Sequence, residues 1–220
     1  MSSEPRIIRA QDLPPVAWRN GGGQTRELLV WPGRSRQQVQ GPYPWQLRVS
    51  LADVSQGGPF SAYPGVQRWF AVVEGAGVRL AFADAVHRLD ARSAPLHFAG
   101  ELPVDCELLD GPTRDLNLMT AGGTGQMRPA RSGRLWRSDL PLRGLFTRVA
   151  GTWSDDRGRR RLLAAQSLLW MEGAPGSAWD FLPGVGEDGG APDGLDWSGV
   201  GEGPPGWWLA YTPAMGAPDQ

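Results

Sequence analysis

Arginines, carboxylates and amides spaced along the first 117 residues carry whatever chemistry this chain performs. They are Asn20, Arg26, Glu27, Arg48, Ser61, Arg68, Asp115 and Asn117, with Trp18 beside the first of them. A guanidinium is a planar fork that grips a carboxylate through two parallel charge-assisted hydrogen bonds, so two arginines could hold a dicarboxylate. Asp115 and Asn117 lie two apart in the alternating run Asp115-Leu116-Asn117-Leu118. In a strand both would leave one face, opposite the leucines, and could read an amine, amide or imidazole. The same polar groups would equally serve to satisfy loop backbones and to pair with one another.

Other chemistries lack their residues. The chain has no lysine, which excludes a Walker-type phosphate loop, a Schiff-base lysine and a serine–lysine pair. His87 and His97 are the only histidines and stand ten residues apart, unlike the clustered ligands that divalent metals need, so no metal is expected. Ser61 follows Pro59-Phe60 without a nucleophile-elbow pattern. Cys106 alternates with Val104 and Leu108 and reads as a packing thiol. Turnover, if any, would fall to Glu27 or Asp115 as general base, with Arg48 holding the substrate carboxylate.

The elements that must position these groups read as short strands. In Trp45-Gln46-Leu47-Arg48-Val49-Ser50-Leu51 the apolar residues share one face, Trp45 included, and Arg48 and Ser50 the other. Val66–Val73, a glycine-rich bend at 75–77 and Val78–Phe82 read as a hairpin. Ala121–Gly125 is the boundary between halves, and Phe146–Trp153 pairs with Arg160–Met171 across an Asp-Gly turn, with a helix through Leu162, Ala165 and Leu169 as the alternative. Gly173–Gly206 reads as surface loop, Trp207–Tyr211 as a closing strand, and the residues after it as a frayed tail. Before Arg26 stands Trp18-Arg19-Asn20-Gly21-Gly22-Gly23-Gln24-Thr25, a glycine triplet suited to positive φ or close backbone approach. Trp18, Trp45, Phe60 and Phe98 could wall a pocket for a flat ligand or could simply fill the core.

With 31 Gly and 20 Pro in 220 residues, the composition suits an all-β protein with many turns and little helix. No apolar run reaches bilayer length, the N-terminus does not resemble a signal peptide, and one cysteine cannot form an internal disulfide, so a cytoplasmic location without membrane attachment is expected. A net charge of −1 gives no global field for nucleic acid, and the arginine groups at 128–137 and 157–161 read as solvated hairpin or loop.

The glycine-triplet segment, Pro44-Trp45-Gln46-Leu47-Arg48-Val49-Ser50, Gly58-Pro59-Phe60-Ser61, Tyr63-Pro64-Gly65 with Arg68, Phe98-Ala99-Gly100, Asp110-Gly111-Pro112 and Asp115-Leu116-Asn117-Leu118-Met119 together resemble the HutD/Ves family. The resemblance covers about the first 120 residues. It implies a double cupin, two jelly-roll-like β-barrels, over residues 1–120 and a smaller unit at 121–220. It further implies that the residues of the opening paragraph bind a small anionic metabolite of histidine degradation, such as urocanate or an N-substituted glutamate, which the protein senses or buffers without a cofactor. An enzyme acting on such a metabolite and a stress-associated interaction module using the tryptophan-rich C-terminal loops are the alternatives, and a homodimer is possible.

Overall fold

The computed structural model describes residues 4–32, 42–173, 176–184 and 203–214. Among these residues the regular elements are strands, plus one 3-10 turn at Ala10–Asp12, and no helix is long and apolar enough to cross a membrane. The strands form four antiparallel sheets. A six-stranded sheet has the order β2 (Val16–Ala17), β3 (Gly23–Trp31), β4 (Leu47–Val54), β11 (Thr113–Ala121), β6 (Val66–Glu74) and β9 (Leu96–Ala99). Over it lies a four-stranded sheet of β5 (Gly58–Pro59), β10 (Asp105–Leu108), β7 (Val78–Ala81) and β8 (Val86–Leu89). The second barrel combines a five-stranded sheet, β1 (Arg6–Arg9), β16 (Ser167–Glu172), β13 (Leu142–Thr147), β18 (Gly206–Thr212) and β12 (Thr124–Pro129), with a three-stranded one, β15 (Arg160–Leu163), β14 (Gly151–Asp155) and β17 (Trp179–Pro183). This is the double-cupin, jelly-roll arrangement.

Side-chain alternation decides what each face does. Leu47, Val49 and Leu51 of β4, Ala71 and Val73 of β6, and Leu116 and Leu118 of β11 pack against Phe146, Trp207, Leu209 and Tyr211, joining the two large sheets into one core. The residues between them, Arg48, Ser50, Asp115, Asn117 and Met119, are thereby turned into the first barrel. In β18, Trp208 and Ala210 face away from the shared core and fill the second barrel with Trp136, Trp153, Trp179 and Phe181. Trp136 stacks on Trp208 at 5.0 Å, so this barrel holds tightly packed aromatics.

Several expectations need correction. Strands β6 and β7 form no hairpin: β6 pairs with β11 and β9, while β7 pairs with β10 and β8. The glycine-rich bend carries the chain from one sheet to the other, and Gly77 sits against the Leu89 backbone where a side chain would collide. Trp45 precedes the first residue of β4, outside its alternation, and packs with Val66 and Met119 rather than with Leu47. The hairpin across 154–158 forms between β14 and β15, but Phe146 and the residues after Gln166 belong to β13 and β16, which pair in a different sheet. No helix forms through Leu162 and Leu169. Most of the expected loop 173–206 and of the tail lies outside the described residues, yet β17 arises within the former, held by β14. The expected closing strand is β18, and the glycine turn at 122–123 leads into β12. The first strand, β1, pairs with Ser167–Trp170 of the distant β16.

Candidate functional site

The first barrel holds a cavity of about 650 Å³ on the inner face of its six-stranded sheet, bounded also by Pro59, Phe60, Ser61 and Tyr63. Trp18, Asn20, Glu27, Arg48, Ser61, Arg68, Asp115 and Asn117 all line it. Eight residues spread over a hundred positions thus meet in one space. The glycine triplet shapes one wall. Gly21 has φ +72°, the Trp18 backbone N–H donates to Gly23 O at 2.9 Å, and Gly22 N–H donates to Asn20 Oδ1 at 3.1 Å. Gly23 lies where a Cβ would run into the Asp53 carbonyl and the Trp18 ring. Trp18 is fixed by its Nε1–H, which donates to Thr25 Oγ1 at 2.8 Å.

Arg26 is not at the site. Alternation along β3 sends Thr25 and Glu27 to the cavity and Arg26 to the opposite face, where it forms an ion pair with Asp53. A bulge at Leu28, between the Glu27–Ser50 and Leu29–Val49 pairs, then lets both Leu28 and Leu29 enter the shared core. Asp53 also receives Arg114 Nε–H, and Arg114 reaches Glu74 at the end of β6 and Gln166 of the second barrel. Burial works against the Asp53 carboxylate, but the hydrogen bond and charge of Arg114, with Gln24 and Arg26, outweigh it and hold the carboxyl below the usual range. This network clamps the barrels together behind the site.

Arg68 dominates the cavity. Its Nε–H and Nη2–H donate to the same oxygen, Asn117 Oδ1, at 2.9 and 2.6 Å. The guanidinium carbon lies 4.3 Å from the Phe60 ring centre and 5.5 Å from that of Phe98. Among the described residues no carboxylate lies within ion-pair distance of it. Burial pushes its pKa down to about 10, and the neighbouring Arg48 charge adds to this. Arg48 is already engaged, its Nε–H donating to Glu27 Oε2 at 3.1 Å and its Nη1–H lying 3.7 Å from the Met119 sulfur.

Asp115 is fully buried at the cavity wall. Thr113 Oγ1–H donates to its Oδ2 at 3.1 Å, and no partner among the described residues reaches Oδ1. Burial pushes its carboxyl up to about 8 against the opposing pull of Thr113 and Arg68, which favours the protonated form at pH 7. Cys106, in the same apolar setting, is pushed up to about 12 and is no nucleophile.

The pocket-wall reading of the aromatics divides: Trp18 and Phe60 line the cavity, whereas Phe98 packs beneath Arg68 in the barrel core and Trp45 sits in the Val66–Met119 cluster. Lining residues absent from the sequence expectation include Thr25, Tyr63, Phe70 and Met119, of which Thr25 was accessible by simple alternation from Glu27. His97 stacks on Trp69 and bonds to Gln67, and His87 meets the edge of Phe82. Among the described residues no three His, Cys, Asp or Glu side chains gather into a metal-binding group.

The HutD family model matches residues 10–181 of the chain. An uncharacterised 21.2 kDa protein in the hutC 3′ region of Pseudomonas putida is 37% identical over 119 residues, which span 54% of this chain and 60% of that protein. Protein Ves of Citrobacter koseri is 31% identical over 162 residues, 73% of this chain and 80% of its own. A conserved protein of unknown function from Pseudomonas aeruginosa PAO1 superposes with a TM-score of 0.72 at 31% identity, covering 95% of this chain and 98% of that one.

Proposed function

Because this chain belongs to the HutD family, we propose that its first barrel binds a small carboxylate metabolite and senses or buffers it. The observation that carries the reading is Arg68, a cavity-lining guanidinium held by an amide and aromatic rings and lacking a carboxylate partner among the described residues. A cation desolvated in this way is costly unless an anion completes it. Arg48 stands near enough to oppose the charge on Arg68, and an anion between the two would relieve that repulsion. Trp18 and Phe60 supply flat apolar walls suited to a planar group attached to the carboxylate.

The relative in the hutC region supports a link with histidine utilisation, and the proposed ligands are urocanate or an N-formyl or N-formimino glutamate. Binding is favoured over turnover by the state of the acid–base groups. Burial pushes the Asp115 carboxyl up to about 8, which leaves it mostly protonated and a weak base at pH 7, and Glu27 is ion-paired with Arg48. Calorimetric titration of the full chain with each compound, and with its fully esterified methyl ester as the control without a carboxylate, tests the reading. Binding of the acid at or below millimolar concentration, lost in the ester, is expected. Equal binding of acid and ester would remove Arg68 as the anchor.

A further inference from the structure

Asp115 has no part in the anchoring argument, yet its setting is unusual. It is fully buried, its Oδ2 has a single hydroxyl donor, and its Oδ1 has no partner among the described residues. A buried carboxylate survives in ionised form when two or three donors or a closed ion pair surround it. Neither condition is met, for Arg68 spends two of its N–H groups on Asn117 and closes no ion pair with Asp115. A proton on Oδ1 would therefore be a hydrogen-bond donor just beneath the cavity lining with no partner among the described residues, two residues along the same strand face from the amide that holds Arg68.

We propose that Asp115 acts as a neutral acid donating its proton to a ligand carboxylate, so that the site selects carboxylates that carry no cationic nitrogen and, of the two N-substituted glutamates, takes the formyl compound over the amidinium-bearing formimino one. The proposal rests on the reading of the cavity as a carboxylate site. An acid–carboxylate hydrogen bond is short and strong because the acceptor is charged. An ionised Asp115 would instead repel the same ligand, and a free α-ammonium would meet the repulsion of Arg48 and Arg68 with no compensating negative charge from Asp115. The charged and titratable groups around it are Arg68 on β6, Arg48 on β4, Glu27 on β3, Cys106 on β10, Asp53 at the end of β4, and Tyr63 and Arg19 in the loops. Its own titration near 8 lies below that of Arg68 and far below that of Cys106, so the window from pH 6 to 9 belongs to Asp115.

N-formyl-L-glutamate, ionised at both carboxylates throughout that window, is the probe, with L-glutamate as its aminated counterpart. Calorimetry on the wild type should give constant affinity from pH 6 to 7 and about tenfold weaker binding at pH 9. Asp115→Asn, which keeps a donor but cannot ionise, should vary by no more than about twofold over the same range. L-glutamate should bind at least about tenfold more weakly than the formyl compound at pH 6. Carbon-13 NMR of the wild-type Asp115 carboxyl reads the same proton without a variant: its midpoint should lie near 8 and move upward when the ligand saturates the site. Wild-type binding that is flat to pH 9, a carboxyl already ionised at pH 6, or a midpoint lowered by ligand would each overturn the proposal while leaving the carboxylate site standing. Failure of the formyl compound to bind at pH 6 would sink the site itself, and the proposal with it.

Discussion

Replacing Arg68 separates a binding group from a structural one. In Arg68→Met the chain loses the guanidinium and both hydrogen bonds to Asn117 Oδ1 but keeps most of the side-chain volume over Phe60. The losses are about 1–2 kcal/mol for the hydrogen bonds and about 1 kcal/mol for the contact with the ring. Against them stands relief of a desolvated charge whose pKa has fallen to about 10, which corresponds to a penalty on the order of 3 kcal/mol. Folding stability should therefore change by no more than about 1 kcal/mol, and a small gain is expected. Ligand affinity should fall by about 2–3 kcal/mol, or 30- to 150-fold, because a charge-assisted pair has no substitute in a thioether. Arg68→Lys should recover the charge but not the fork, and so restore only part of the affinity. Urea denaturation and calorimetric titration of the three proteins provide the assay. A loss of about 3 kcal/mol or more in stability with unchanged affinity would refute the reasoning and make Arg68 a structural residue.

Three other perturbations probe the surroundings. Asp115 has a folded pKa raised to about 8, so between its unfolded value and 8 the native state binds the extra proton and wild-type stability should fall as pH rises, by up to about 1.4 kcal/mol per unit from this group; Asp115→Asn should lose that slope in urea denaturation at pH 5 to 8. Arg114→Met removes one of the two cations on Asp53, which keeps Arg26, and the ion pair to Glu74, and should cost about 2–3 kcal/mol in the same assay. Gly23→Ala forces a Cβ against the Asp53 carbonyl and the Trp18 ring; its melting temperature should drop and ligand affinity with it, as read by scanning calorimetry and titration.

What sequence could reveal was governed by distance along the chain. Period-two alternation correctly placed Arg48 with Ser50, and Asp115 with Asn117, on a face opposite the leucines, since that rule is local. The same rule, applied to the adjacent Arg26 and Glu27, would have separated them; grouping them by motif instead put Arg26 in a site it turns away from. Pairing between sheets is not local. The β6–β7 bend resembles a hairpin because its glycines suit one, but which edge a strand joins is settled by packing against strands about 25 to 55 residues away. The partnerless Oδ1 of Asp115 and the single amide partner of Arg68 were likewise beyond sequence, because burial and satisfaction are properties of the assembled barrel.

A crystal of the full chain soaked with N-formyl-L-glutamate at pH 6 shows directly whether the first barrel takes a carboxylate at Arg68. One ligand is expected in the first barrel, with a carboxylate within hydrogen-bond distance of the Arg68 guanidinium and its planar group against Trp18 or Phe60. A ligand bound elsewhere, or one in this cavity with its carboxylates turned away from Arg68, would contradict that expectation.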